Sequence, residues 1–278
     1  MPEGPEVRTV VDKLKPYLIS RVIFGTYKGE RARTIGFNNL KCPVTIIGVR
    51  SYGKKVLIDL DSGYIIIISL GMAGRLQYFP GNHSHVRFDL CDCEIKGSFR
   101  IMRNFFSLYF DDSRYMGGVD VISNFGMSLY FKDIGPDLLQ LALDEKTWIS
   151  FETWLEIFTK KKLMKRKICD VIMDQSLIAG IGNYLRSEIL YYSRINPDRT
   201  VETITNEEWD RIRISSHKII MLSYSYGGFT IKTFISPDGK PGMYPAAVYG
   251  KSHDSLGNSV IKMNIKSRNV HWVPAIQG

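Results

Sequence analysis

The 278-residue sequence predicts an α+β protein in which a β-rich half is followed by a helical half. Short β-rich runs punctuated by Gly, Asn, Asp and Ser occupy residues 21–129. Apolar residues at helical spacing occupy residues 135–226, and short β-like runs with turns return after residue 228. In the first half this pattern favours an antiparallel sandwich or barrel over a parallel α/β sheet.

A short helix is predicted at the start of the chain. Apolar residues recur at helical spacing over residues 5–18. Pro5 suits the first turn of a helix, and Pro16 limits its far end. We therefore expect the N-terminal amine to lie at the end of an ordered element and not on a loose tail.

Six runs in the β-rich half predict strands, at residues 21–27, 44–50, 54–60, 64–70, 85–90 and 107–112. The most apolar run, residues 64–70, is too short to span a bilayer and is typical of a buried strand. His83 and His85 could chelate a metal from one strand face, but we expect them to form a loop pair exposed to water.

The helical half contains four periodic apolar stretches, at residues 147–159, 162–174, 182–192 and 206–224. Asn206 is a suitable start for the last of them, and Gly227 is a suitable end. A β-rich half followed by a helical half predicts two domains, with the boundary within residues 126–146.

The charge balance points to a polyanionic partner. Lys and Arg number 37 against 28 Asp and Glu, and the sequence pI is about 9.3. Charge alone leaves both nucleic acid and an anionic membrane surface open. The start of the chain does not resemble a signal peptide, and the four cysteines lack disulfide-framework or zinc-site spacing. We expect an intracellular protein with reduced cysteines.

The first residues carry a candidate nucleophile. If Met1 is removed, Pro2 presents a secondary α-amine, and the α-amino pKa of about 8 leaves part of it unprotonated at neutral pH. Such an amine can attack a carbonyl-like carbon and form an iminium, while the Glu3 carboxylate could move the protons involved. N-terminal residues are usually frayed, so these two residues alone do not establish catalysis.

A second candidate site lies in the helical half, where two glycines flank Ile181 and Asn183 opens an apolar stretch. A tight turn into a helix N-terminus presents backbone N–H groups to an anion, and Asn183 adds a side-chain donor. A turn between helices that needs glycine only for its conformation explains the same pattern equally well.

Three motifs that occur together and in order carry a family resemblance. They are MPEGPEVR at the start, GIGNYLRSEILYYSRINP in the middle, and GGFTIKTFISPDGKPGMY followed by VYG near the end. The chain resembles the formamidopyrimidine-DNA glycosylase and endonuclease VIII family from Pro2 to about Gln277. Gly4 and Arg8 in the opening are closer to the endonuclease VIII branch.

The resemblance implies a fold and its divisions. An N-terminal two-layer antiparallel β-sandwich with an N-terminal helix would occupy residues 1–128, and a linker would follow at 129–145. A helical helix–two-turn–helix domain would occupy residues 146–232, and a β-hairpin finger would occupy 233–278.

The resemblance also implies roles for particular residues. Pro2 would be the nucleophile at C1′ of the damaged nucleotide, Glu3 would protonate the opened sugar, and Glu6 would support them. Lys54 would bind a DNA phosphate and would also belong to the catalytic residues. The residues expected to grip the DNA backbone or to fill the space left by an extruded base are Gly182, Asn183, Arg268, Met72, Arg114 and Met116.

The finger departs from the family pattern. Many members have four zinc-binding cysteines here, whereas the matching positions fall near Leu256 and Ser259 and on Val273 and Ile276. Tetrahedral zinc needs thiolate or imidazole ligands at such positions. We therefore expect a metal-free hairpin with Arg268 at its tip, and no cofactor. A second departure is Ser69, where many members carry a basic residue.

The resemblance thus implies a bifunctional DNA glycosylase and abasic-site lyase that removes oxidised bases, mainly pyrimidines, through a Schiff base and β,δ-elimination. The expected partner is duplex DNA with an oxidised base or abasic site, with single-stranded DNA left open. We expect a monomer and no membrane association. Two alternatives are a catalytically inactive lesion-binding module and a structural DNA-binding protein without a lesion role.

Overall fold

The computed structural model describes residues 1–96, 99–144, 146–230, 234–265 and 268–278. It confirms the predicted α+β class. By their contacts the residues form two compact units. The first, here called the β unit, comprises Met1–Pro2, Glu6–Lys132 and Thr230–Gly242. The second, the helical unit, comprises Glu3–Pro5, Asp133–Phe229 and Met243–Gly278. The finer domain bounds expected from the sequence remain a prediction.

The first helix, α1 (Gly4–Leu18), confirms the prediction for residues 5–18. Its apolar face is almost completely buried, with Val7, Leu14 and Leu18 each at 0% exposure. Pro16 lies inside the helix and does not end it, contrary to expectation. A proline so near a C-terminus removes only one hydrogen-bond donor, and the helix ends two residues later.

Eight antiparallel strands form the sheet of the β unit. They are β1 (Val22–Lys28), β2 (Val44–Tyr52), β3 (Lys55–Leu60), β4 (Tyr64–Ser69), β5 (Arg75–Gln77), β6 (Ser84–Lys96), β7 (Phe99–Asp111) and β8 (Gly118–Ser123). Their order is β5-β7-β6-β1-β2-β3-β4-β8. β1 and β2 pair over only two positions, so the sheet divides into two four-stranded halves.

One apolar core joins these halves. Val86, Phe88 and Phe110 from the first half and Ile58 and Ile66 from the second belong to the same buried cluster. Antiparallel strands that face water on one side alternate apolar and polar residues, as the buried positions of β2 do. The predicted runs became strands, whereas β5, β8, the second half of β6 and the first half of β7 were not predicted.

The helical unit contains a short α3 (Leu138–Ala142), α4 (Phe151–Phe158), α5 (Ile168–Val171), α6 (Asn183–Ser193) and the long α7 (Asn206–Ser225). In the β unit, α2 (Met127–Tyr130) adds one turn. Trp154, Phe158 and Trp209 are buried together in the core of the helical unit. In the described part of the chain, no helix is long and apolar enough to cross a membrane.

The stretch at residues 162–174 is not one helix, contrary to the prediction. It contains a 3₁₀ turn at Lys161–Leu163 and the single turn α5. Between them the backbone bonds to another segment, since Ile168 N–H donates to Arg199 O at 2.8 Å and Arg166 O accepts from Val201 N–H at 3.0 Å. These bonds replace the helical ones that the apolar spacing suggested.

The predicted terminal hairpin is present. Strands β9 (Ile261–Ile265) and β10 (Arg268–Trp272) pair antiparallel, and the last turn of helix is α8 (Pro274–Gln277). The side chains of Val270 and Val273 are at 0% exposure. Apolar packing therefore helps to hold the hairpin.

Candidate active site

The carboxylate of Glu3 is fixed at the N-terminus of α6. Backbone N–H groups of Gly182, Tyr184 and Leu185 donate to its oxygens at 2.6, 2.9 and 3.3 Å. The first turn of a helix leaves such donors without intrahelical partners and favours negative charge. Glu3 is only 2% exposed, so these bonds hold the carboxylate in one place.

The glycine turn before α6 makes this arrangement possible. A Cβ on Gly182 would lie 2.3 Å from the Glu3 carboxyl carbon. Gly180 has a φ of 107°, and its carbonyl oxygen accepts from the N–H of Gly4 at 2.9 Å. The two glycines therefore serve both the turn conformation and the close approach of the N-terminal segment, rather than conformation alone.

Pro2 and Glu6 flank this carboxylate along the chain. Pro2 is buried and lies directly before Glu3 in the sequence. While Met1 is attached, the nitrogen of Pro2 is part of an amide. Glu6 is at 0% exposure in the first turn of α1, where the helix dipole stabilises a negatively charged carboxylate.

Asn183 and Arg268, predicted to grip the DNA backbone, lie in neighbouring parts of the helical unit. The Asn183 side-chain amide donates to the backbone oxygen of Asn269 at 3.0 Å and to the hydroxyl of Tyr249 at 3.4 Å. Arg268 opens β10 as an exposed side chain, and its Nη1 lies 3.7 Å from the sulfur of Met173. The exposed guanidinium suits a phosphate group directly, whereas the Asn183 amide would have to release one of these two partners to donate to a phosphate.

Arg186 was not singled out in the sequence. It is at 0% exposure, and its Nη2 donates to Oδ1 of Asn183. Burial is the main cause that lowers its guanidinium pKa. The arginine orients the Asn183 amide so that the amide nitrogen faces its other partners. Helical periodicity gives no signal for a fully buried arginine, because charged residues are normally exposed.

Glu188, a second charged residue buried in α6, organises the segment that follows Tyr244. Its carboxylate accepts from the N–H groups of Ala247, Val248 and Tyr249 at 2.7, 3.0 and 2.9 Å. The Tyr244 hydroxyl donates to it at 3.1 Å, and burial, then Glu188, raises the pKa of that tyrosine. Residues 184–191 are buried on every side of α6, whereas the periodic apolar stretch predicted at residues 182–192 accounts for burial of one face only.

Two loops of the β unit bring Met72, Arg114 and Met116 together. Nη1 of Arg114 lies 3.8 Å from the sulfur of Met72, and the two methionines are 36% and 50% exposed. Gly71 has a φ of 59°, and a Cβ there would lie 2.6 Å from the backbone nitrogen of Gly117. The structure thus places the three predicted residues at one surface of this unit.

Asp112 shapes the second of these loops and was missed in the sequence. This fully buried carboxylate accepts from the N–H of Arg114 at 3.0 Å and from the N–H of Gly117 at 2.7 Å. Asp and Ser in consecutive positions signal such side-chain-capped turns, so the run Asp112-Ser113 was a usable signal.

Lys54 lies in the tight turn between β2 and β3, beside Gly53 with its φ of 56°. The neighbouring Lys55 donates to the hydroxyls of Ser69 at 2.8 Å and Tyr130 at 3.3 Å. Burial lowers the pKa of Lys55. An ammonium group therefore lies against Ser69, where a basic residue was expected from the resemblance.

The histidines differ from expectation in one respect. His85 is 6% exposed and packs against Phe110 with ring centroids 5.0 Å apart, so it is a core residue and not part of an exposed loop pair. Across the described ranges, no three His, Cys, Asp or Glu side chains are grouped so that they could hold a metal ion. Whether the finger binds zinc therefore stays a matter of prediction.

Two family models match the chain. The formamidopyrimidine-DNA glycosylase N-terminal domain matches residues 1–119, and the formamidopyrimidine-DNA glycosylase H2TH domain matches residues 142–235. The formamidopyrimidine-DNA glycosylase of Rickettsia felis is 30% identical over 297 residues, which cover 100% of this chain and 98% of the relative. That of Carboxydothermus hydrogenoformans is 28% identical over 292 residues, with 100% of both chains covered.

Solved structures match over nearly the whole chain. The MutM (Fpg) protein from Thermus thermophilus has a TM-score of 0.84 at 24% identity, covering 99% of this chain and 98% of that one. A complex of wild-type Lactococcus lactis Fpg (MutM) with DNA containing an oxidised pyrimidine has a TM-score of 0.83 at 24% identity, covering 99% of both chains. At this identity the likeness concerns the fold.

Proposed function

The chain belongs to the formamidopyrimidine-DNA glycosylase family of base-excision repair enzymes, and from this premise we propose that it is a bifunctional glycosylase and abasic-site lyase. The single observation that carries the proposal is the placement of Glu3. Three backbone N–H donors fix its carboxylate directly beside Pro2 in the chain. A proton-transfer group held in one position next to a terminal amine suits iminium chemistry.

The proposed reaction starts from protein that has lost Met1. The lone pair of the Pro2 nitrogen attacks C1′, and the bond between C1′ and the damaged base breaks, so the base leaves with the electron pair and takes up a proton. The nitrogen loses its own proton to the Glu3 carboxylate as the iminium forms, and Glu3 passes this proton to the opened sugar oxygen. Removal of a C2′ proton then expels the 3′ phosphate, and a further elimination expels the 5′ phosphate.

The DNA contacts are proposed by the same reasoning. Asn183, Arg268 and Lys54 offer amide and cationic donors that suit backbone phosphates, which position a duplex without reading its sequence. Met72 and Met116 supply exposed flexible apolar side chains, and Arg114 supplies a guanidinium beside Met72. The methionines can occupy the space that an extruded base leaves, and Arg114 can contact the opposite base.

Oxidised pyrimidines are the proposed main substrates. The opening with Gly4 and Arg8 resembles the endonuclease VIII branch, although the curated relatives described above bear the formamidopyrimidine name. The Lactococcus lactis protein was solved with DNA containing an oxidised pyrimidine, which supports this choice of lesion class. We propose a monomer acting on lesions or abasic sites in duplex DNA, with single-stranded DNA as a further substrate.

A panel of lesion-bearing oligonucleotides tests the proposal. Wild-type protein should release 5-hydroxyuracil and thymine glycol from duplexes and nick the strand. Glu3→Gln should lower base release by about 100-fold or more because it removes the proton donor, while DNA affinity stays similar. Glu156→Gln, at an exposed position on α4, is the matched control and should keep full activity. Equal binding of damaged and undamaged duplex with no nicking would instead identify an inactive binding module.

A further inference from the structure

One end of the sheet formed by β2, β3, β4 and β8 places a lysine at the base of three loops. The last paired row across these four strands consists of Tyr52, Lys55, Ser69 and Gly118. The segments that leave the sheet beyond this row are residues 53–54, 70–74 and 112–117. They carry the residues of the β unit that are proposed to contact DNA, namely Lys54, Met72, Arg114 and Met116. Lys55 therefore lies where all three of these segments begin or end.

Two hydroxyl groups hold the ammonium of Lys55 in place. Its Nζ donates to the hydroxyl of Ser69 at 2.8 Å and to that of Tyr130 at 3.3 Å. The Tyr130 hydroxyl donates its own proton to Asp120 at 2.6 Å, so towards Lys55 it acts as the acceptor. The Tyr130 ring also lies beside the ammonium, with Nζ 5.2 Å from the ring centroid. These contacts fix the direction of a side chain that is normally flexible.

The same contacts leave the charge of Lys55 without a direct counterion. Both partners are neutral hydroxyls, and among the described residues Lys55 forms no ion pair. Asp120 is reached only through Tyr130, and its other oxygen accepts from the N–H of Ile35 at 3.0 Å. An ammonium has three N–H donors, of which these hydrogen bonds use two. Lys55 is partly exposed, so its third donor remains for an anion.

The surroundings of Lys55 favour an anion at this position. Burial lowers the pKa of Lys55, and the charge of Asp120 opposes that effect only in part. A lowered pKa means that the surroundings penalise the charged form of the lysine, and a negative charge beside the ammonium relieves that penalty. A DNA phosphate supplies both the negative charge and the acceptor oxygens that a lysine donor needs.

The packing of this face of the sheet does not require a lysine. Side chains two positions apart in a strand share a face, and the next positions on the face of Lys55 are apolar. Leu57, Ile65 and Ile67 form a buried cluster there, with Tyr130 packed against it. An apolar residue at position 55 would extend this cluster without removing a charge from water. The ammonium therefore has a use other than support of the sheet.

We propose that Lys55 binds a phosphate of the DNA backbone at this end of the sheet, with Ser69 and Tyr130 holding its ammonium in position. The inference rests on the proposed function, because it takes the duplex to lie against the loops that follow the row. A phosphate contact of this kind positions the duplex and carries no sequence information. Lys55 is thus a binding residue and takes no part in proton transfer.

The salt dependence of DNA binding tests this contact. Full-length protein is titrated by fluorescence anisotropy with a duplex that holds a tetrahydrofuran analogue of an abasic site, at salt concentrations from about 50 to 200 mM. This duplex has no base to release at the analogue, so binding is measured without turnover. Each phosphate contact contributes about 0.9 to the slope of log K against log salt concentration, so removal of the Lys55 charge should reduce the slope by roughly one.

Three substitutions separate the charge of Lys55 from its packing. Lys55→Met keeps an unbranched side chain without the charge, and it should weaken binding about tenfold, the effect of one hydrogen bond to a charged group. Lys55→Gln keeps a donor for the two hydroxyls and should lower the slope as Lys55→Met does, so a Lys55→Met protein that fails to fold does not end the test. Lys55→Arg keeps the charge and should keep the wild-type slope.

Lys41→Met is the matched control. Lys41 is exposed and precedes the start of β2 at Val44, at the opposite end of the strand from Tyr52. This variant changes the net charge of the protein by the same amount as Lys55→Met, and it should bind the duplex with the wild-type slope. Thermal unfolding of every variant checks that the proteins compared are folded.

Three results would overturn the proposal. The first is a wild-type slope in folded Lys55→Gln or Lys55→Met. The second is an equal loss of slope in Lys55→Arg, which would assign the effect to side-chain shape. The third is an equal loss in Lys41→Met, which would assign it to overall charge. A Lys55-dependent slope in wild-type protein that does not nick a lesion-bearing duplex would support the contact and contradict the proposed glycosylase function instead.

Discussion

At the scale of single residues, the proposed chemistry depends on how little space surrounds Glu3. Three N–H groups of the α6 turn hold the carboxylate, and the absence of a side chain at Gly182 lets it approach them. A carboxylate fixed in this way loses little freedom when it transfers a proton, since its position is set before the substrate binds.

Gly182→Ala tests this dependence. The new Cβ would lie 2.3 Å from the Glu3 carboxyl carbon, so the carboxylate must move. We expect base release to fall by about 100-fold, as when a proton-transfer group is misplaced, while the helical unit stays folded. Single-turnover base release and circular dichroism measure the two effects.

Gly126→Ala is the control for that experiment, because a Cβ there meets its nearest atom at 3.6 Å and the φ is −79°. This variant should match the wild-type protein. Full activity of Gly182→Ala would show that the position of Glu3 does not limit the reaction.

At the scale of elements, α7 has a start that the sequence predicted closely. Thr205 accepts from the N–H of Glu208, and the Glu208 carboxylate accepts from the N–H of Thr205 at 2.9 Å, which forms a capping box. Arg199 adds two bonds to the same carboxylate at 2.6 and 2.9 Å. The arginine bonds are the main cause that lowers the pKa of Glu208.

The lowered pKa gives a prediction for stability against pH. A carboxyl group whose pKa is lower in the folded protein contributes stability above its unfolded value of 4.5, and this contribution is lost as the pH falls through the folded value. Glu208→Gln should therefore reduce stability by about 1 kcal/mol at pH 7. Thermal unfolding at pH 7 and below pH 4.5 should show the gap to wild type closing in acid.

Glu156→Gln, on the exposed side of α4, should show no such gap at either pH. A difference between Glu208→Gln and the wild-type protein that stays constant with pH would contradict the role assigned to this carboxylate.

How far the sequence predicts these elements depends on the strength of local signals. The helix α1, the six main strands and α7 follow from periodicity and end signals. Residues 162–174 do not, because bonds to the segment at residues 199–202 replace the helical ones. Arg186 and Glu188 were missed for a related reason, since burial of a charged side chain depends on tertiary partners that lie far away in the chain.

At the scale of the whole molecule, the motifs predicted more of the site than composition did. A net charge of +9 is compatible with any polyanion, whereas the opening MPEGPEVR, the glycine turn before α6 and the motif that begins at Gly227 together resemble one family. The burial of His85 against Phe110 could not be read from the sequence, because it depends on how separate strands of the β unit meet.

Metal removal tests whether the hairpin finger needs zinc to fold. The hairpin β9–β10 is held by apolar side chains such as Val270, so its folding should not need zinc. Metal analysis of purified protein should find on the order of 0.1 zinc per chain or less, and prolonged treatment with a chelator should change neither Tm nor nicking. One zinc bound per chain, or unfolding on chelation, would contradict this expectation.

The central claim is that the Pro2 amine forms a covalent intermediate with C1′. Borohydride reduction during turnover on a lesion-bearing duplex, followed by mass spectrometry of the digested adduct, tests it most directly. The account predicts a DNA adduct on the N-terminal peptide that begins at Pro2, and no adduct on protein that retains Met1. An adduct on a lysine, or one formed equally well by Pro2→Gly protein, would contradict it.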